Sequence, residues 1–163
     1  MKKHLLLASV ICTSLIASAQ TGAKDINKVI THYLEVKDAL AASDGNAALT
    51  HAKDLLAAVK GVNTGSLTAA QRKTWLAYEP KLEYDSRHIS EVGRVEHQRE
   101  HFAALSANLI AVLKDMPVND KVLYVEDCTM TKHPFLSQTA SGKDPYMGMT
   151  AGNKITETLP AHH

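Results

Sequence analysis

Val95-Glu96-His97-Gln98-Arg99-Glu100-His101-Phe102-Ala103-Ala104-Leu105-Ser106-Ala107-Asn108-Leu109-Ile110-Ala111-Val112-Leu113-Lys114-Asp115 reads as one amphipathic helix. Val95, Phe102, Leu105, Leu109 and Val112 fall on a single stripe at helical spacing, and Met116-Pro117 ends the run because proline cannot continue it. Upstream, Gly93 marks a break. Before it, the segment Lys81 to Glu91 continues a third helix that carries Trp75, Leu76 and Tyr78, with Pro80 expected to kink or split it. Thr68 and Gln71 form a capping box at its start, each side chain covering a free backbone N–H. Further back, Leu49, Ala52, Leu55, Leu56 and Val59 make a second stripe closed by Gly61. Ser43-Asp44-Gly45-Asn46 separates it from a first stripe of Ile26, Val29, Ile30, Tyr33, Leu34 and Leu40. Four such helices with short loops predict a mainly α fold, an antiparallel four-helix bundle.

Downstream of Pro117 the character changes. Val122 and Tyr124 lie in a β-prone stretch that predicts a short extended segment up to Cys128. The remainder is rich in Ser, Thr, Gly, Lys and Pro and reads as an irregular C-terminal tail, beginning at about residue 118, that wraps the bundle. No internal repeat and no low-complexity tract is evident.

The N-terminus reads as an export signal. Lys2 and Lys3 precede an apolar run from about Leu5 to Ile16, too short to span a bilayer. Ala17-Ser18-Ala19 then supplies the small-x-small pattern that signal peptidase reads. Cleavage after Ala19 is expected, so residues 1–19 are a signal peptide and residues 20–163 a single domain. The mature protein is expected to be periplasmic or secreted, with no membrane insertion after cleavage.

The full chain has 18 Lys and Arg against 17 Asp and Glu. Losing Lys2 and Lys3 with the leader leaves one acidic charge in excess. That gives neither the basic stripe of a nucleic-acid binder nor a polybasic membrane patch. Of the 2 cysteines, Cys12 leaves with the leader. Cys128 then has no internal disulfide partner in an oxidising compartment; it is inert and buried, paired between chains, or ligating something.

Several side chains suit a metal. His97 and His101, four apart on the fourth helix, stack on one face and can share an ion. Cys128 and Met130 point to the same side if the extended segment continues through them, and a thiolate with a thioether is a soft pair that favours Cu(I), with which imidazole is compatible. His88, just before the Gly93 break, can approach His101 across that turn. Met147, Met149 and His133 in the tail are further soft or borderline donors. His32 and His51 read as surface histidines, and His162 and His163 as loose binders. Glu91, Glu96 and Glu100 alternate with basic residues as a solvated face does, with Arg99 pairing locally. No phosphate loop, haem-attachment motif or nucleophile elbow is present, and nothing local to Cys128 supports the positioned histidine base that a catalytic thiol needs. The chain is therefore expected not to be an enzyme.

His88-Ile89-Ser90, the run Val95 to Phe102 with Leu105-Ser106, Lys37-Asp38-Ala39-Leu40, Glu79-Pro80-Lys81-Leu82, Tyr124-Val125, Cys128 with Met130, Phe135-Leu136-Ser137 and Pro145-Tyr146 together resemble a bacterial periplasmic domain family of formally unknown function. That family is also found as the C-terminal extension of Cus-type heavy-metal efflux adaptor proteins. The resemblance covers nearly the whole mature chain. It implies a helical periplasmic domain for copper or silver handling, with His88, His101, Cys128 and Met130, and also His97, as ligands. Two stretches depart from the family pattern. Asp127-Cys128-Thr129-Met130 stands where the family has aromatic-Cys-Pro-Met, and the tail has Met147 and Met149 where the family has a second cysteine. The expected function is soft-metal binding, Cu(I) or Ag(I), for heavy-metal resistance by sequestration or delivery to an efflux adaptor. The alternative is a non-catalytic envelope domain that partners such an adaptor without binding metal, and a third reading is a non-covalent haem bundle.

Overall fold

The computed structural model describes the backbone of residues 7–148 and 153–162, and side chains from residue 22 onward. Lys2, Lys3, Met149 and His163 lie outside those residues. Four helices come first: α1 (Leu7–Ala41), α2 (Gly45–Lys60), α3 (Ala69–Glu91) and α4 (Val95–Asp115). Each packs on the next, and α1 also touches α4, giving a bundle-like helical body. Its core includes Ile26, Tyr33, Leu40, Leu55, Trp75, Leu82, Phe102, Leu105 and Leu109, members of the stripes read from the sequence. Among the described residues, no helix is long and apolar enough to cross a membrane.

The helix ends follow from local chemistry. α1 stops where Ser43 turns left-handed (φ 56), and the Asp44 N–H returns to the Ala39 carbonyl at 2.9 Å, a Schellman closure. Asp44 then caps α2, its side chain accepting from the Ala47 N–H at 2.9 Å. Gly45 is required by close approach, since a Cβ there would stand 2.0 Å from the Gly93 carbonyl oxygen. The Thr68–Gln71 capping box is present in both directions. Replacing Thr68 with alanine leaves one N–H uncovered and is expected to cost about 1 kcal/mol, read as a lower urea midpoint with unchanged slope.

Three expectations change. α3 is not split at Pro80 but continues through it, with the Pro80 ring facing solvent while Trp75 and Leu82 on either side are buried; packing along the helix outweighs the lost hydrogen bond. Arg99 does not pair with neighbouring glutamates. It donates instead to the carbonyls of Leu40 (2.9 Å) and Pro145 (2.7 Å) and to the Ser43 hydroxyl (3.0 Å), tying the end of α1 and the C-terminal segment to α4.

The tail, third, is not wholly irregular. β1 (Leu123–Cys128), β2 (Pro134–Ser137) and β3 (Asn153–Leu159) form an antiparallel sheet in the order β2-β1-β3. Phe135 and Leu136 are fully buried. The exposed β3 is built from Ile155, Thr156 and Thr158, whose β-branched side chains favour a strand although its polar composition resembles a loop. The sheet packs against α4 and is fastened to α1 by the Leu136 N–H, which donates to the Tyr33 hydroxyl at 3.1 Å. That hydroxyl also meets Ser106 of α4 at 2.7 Å.

Candidate metal centre

α3 and α4 are joined by a short turn, so the last part of α3 lies beside the first part of α4. His88 projects from the former, and His97 and His101 from the latter. Their ligating atoms lie within 4.8 Å of one another, the one such group of His, Cys, Asp or Glu among the described residues. The His88 and His101 rings are stacked at 4.6 Å and 8°, and His97 meets His101 edge-on at 4.8 Å. All three are partly exposed, with side-chain exposures of 30, 25 and 17% for His88, His97 and His101. An ion can therefore reach them from solvent.

Behind His101 stands Asp85, a buried carboxylate of α3. Its Oδ1 lies 3.0 Å from His101 Nδ1. With Nδ1 donating there, Nε2 keeps its lone pair for an ion, the carboxylate–histidine arrangement that fixes both tautomer and ring orientation at metal sites. Burial pushes the Asp85 carboxyl above its ordinary value, and the hydrogen bond and charge of His101, then the charge of His88, pull it back down. Asp85 was not singled out from the sequence, although Asp85 and His88 are three apart and share a helix face. Tyr84 adds an exposed ring against His88 at 4.3 Å.

Replacing Asp85 with asparagine separates its two roles. Its raised folded-state pKa means that the ionised carboxylate is worse off in the fold than in the unfolded chain. Its contribution to stability therefore falls as pH rises above the ordinary carboxyl value of 3.8 through the folded pKa. Asp85→Asn is thus expected to leave the metal-free fold at least as stable at neutral pH, by thermal melting, while weakening metal binding by roughly 10–100-fold.

Cys128 and Met130 are not in this group. β1 ends at Cys128 and the chain turns at once, with Lys132 left-handed (φ 63), so the alternation that would place both sulfurs on one side does not reach Met130. Cys128 is buried in the core, where its Sγ accepts from the Thr131 N–H at 3.4 Å. Met130 is 66% exposed. His133 and Met147 are also exposed, and His133 lies 5.4 Å from the Tyr146 ring. His32 and His51 are half-exposed and both face Glu35.

An arrangement of three imidazoles on a helical hairpin, one backed by a buried carboxylate, defines a helical domain able to hold a transition-metal ion. The model of a family described as a protein of unknown function (DUF3347) matches residues 29–121, and the chain belongs to that family. The match takes in the histidine triad and Asp85 and stops before Cys128 and Met130. No curated protein and no solved structure matches the chain.

Proposed function

We propose that this protein binds a transition-metal ion, copper first among them, through His88, His97 and His101. The observation that carries the proposal is the convergence of the three imidazoles with Asp85 behind His101. Ligand–metal distances of about 2.0–2.1 Å place neighbouring nitrogens roughly 3.4 Å apart around one tetrahedral ion. Atoms within 4.8 Å reach that by small rotations of partly exposed side chains. Imidazole suits copper, zinc, iron and nickel rather than hard cations, and divalent copper stands highest in the usual affinity order. Three protein ligands leave a position open, as exchange with a recipient requires. No turnover is needed.

The physiological role consistent with this site is sequestration of copper in the periplasm or its delivery to a heavy-metal efflux adaptor. The export pattern at residues 1–19 and the family resemblance support that setting. An antiparallel four-helix bundle, supported by the consecutive helix contacts, supplies the rigid frame. The soft pair Cys128 and Met130, which favoured Cu(I) and Ag(I), stands apart from the imidazoles, and imidazole donors are compatible with copper in either oxidation state.

The test is an anaerobic Cu(I) titration against a competing chelator, repeated with Cu(II). One tightly bound equivalent is expected. Cys128→Ser is expected to bind with unchanged affinity, because its thiol is turned into the core. Absence of binding by the wild-type protein in either oxidation state would overturn the proposal.

A further inference from the structure

The two helical hairpins match at a constant offset of 50 residues. α1 ends at Ala41 and α3 at Glu91; α2 begins at Gly45 and α4 at Val95. At that offset a set of core positions is buried in both hairpins: Ala39 and Ile89, Ala48 and Gln98, Ala52 and Phe102, Leu55 and Leu105, Val59 and Leu109. The sequence shows no repeat because the residue types differ; burial and helix boundaries carry the correspondence. One polar feature is shared too. Glu35 occupies the place of Asp85 and His51 the place of His101, and the carboxylate faces the imidazole in both hairpins, at 3.5 Å and 3.0 Å.

In the first hairpin a second imidazole joins them. His32 lies one turn before Glu35 on α1, and its Nδ1 stands 2.8 Å from the same Oε2 that faces His51 Nδ1 at 3.5 Å. One carboxylate oxygen thus lies between two imidazole nitrogens from two helices. Around an ion with bonds of about 2.0–2.2 Å, neighbouring donors stand roughly 3.0–3.5 Å apart; the two carboxylate–imidazole separations fall close to that range, and the two imidazoles stand further from each other. The side chains are half-exposed, at 31, 41 and 37% for His32, Glu35 and His51, so they can close on an ion that arrives from solvent. The three donors are not drawn within 4.8 Å of one another as the triad's are. No buried carboxylate stands behind them.

We infer that His32, Glu35 and His51 form a second site for a divalent transition-metal ion of the zinc or copper type, weaker than the triad and independent of it. Two imidazoles and a carboxylate suit such ions. The ion takes the place of the contacts between Glu35 and the two imidazoles.

The experiment is a Zn2+ titration followed by the 15N resonances of the histidine side chains, on the wild-type chain and on a His88→Ala, His97→Ala, His101→Ala variant. In the wild type the triad resonances are expected to saturate first, and those of His32 and His51 to move together afterwards. In the triple variant the His32 and His51 response is expected to persist. Glu35→Gln, a half-exposed substitution that does not threaten folding, is expected to weaken that response by roughly tenfold or more while leaving the triad's intact. Unmoved His32 and His51 resonances beside a saturating triad would overturn the second site and leave the proposed function standing. A His32 and His51 response beside an unmoved triad would do the reverse.

Discussion

His97→Ala combined with His101→Ala is expected to abolish tight metal binding. The two imidazoles lie one turn apart on α4, and removing them leaves His88 as the sole triad ligand. The loss should exceed the roughly 10–100-fold that follows from losing an outer partner such as Asp85, because donors to the ion are themselves removed. Both residues are partly exposed, and neither fills the core, so the fold should survive. Chelator competition and far-ultraviolet circular dichroism on the same sample separate the two effects: binding falls and helix content does not. If the double variant holds the ion with wild-type affinity, the ion sits elsewhere.

The largest effect on stability is expected from Phe102→Ala. Phe102 is fully buried, stacks on Tyr33 of α1 at 5.0 Å and lies 6.0 Å from the Tyr146 ring. It therefore joins three parts of the chain at one point, and truncation leaves a cavity where these rings meet. Such changes cost about 3–5 kcal/mol, which lowers Tm by roughly 10 °C in a chain of this size. Phe102→Leu keeps most of the volume and should cost less than half as much. Because His101 precedes Phe102 on the helix, the alanine variant should also loosen the triad, whereas the leucine variant should bind normally. Equal melting temperatures for all three proteins would contradict the packing described for α4.

Much of this was legible in the sequence because it is local. The Thr68–Gln71 box, the break at Ser43-Asp44 and the stripe on α4 depend on residues within a turn or two of each other. His97 and His101 belong to the same class, since helix geometry alone stacks them. His88 needed one long-range assumption, that the chain doubles back at Gly93, and the short turn made that safe. Asp85 escaped because an acid in a helix of alternating charges looks solvated; its burial is decided by α4 lying across it. Cys128 and Met130 were matched by strand alternation, which fails once the strand ends at Cys128. β2 was hidden by its length of 4 residues, β3 by its polar composition, and the correspondence of the two hairpins by the exchange of alanines for larger residues at matched buried positions.

The central claim is that three imidazoles hold the ion. X-ray absorption at the copper edge, on protein loaded anaerobically with one equivalent, reads the donors directly. A shell of nitrogen scatterers at about 2.0 Å with histidine outer-shell features, and no sulfur near roughly 2.3 Å, is the expected result. A sulfur shell there would move the ion from the α3–α4 hairpin to Cys128 and Met130 and contradict the assignment.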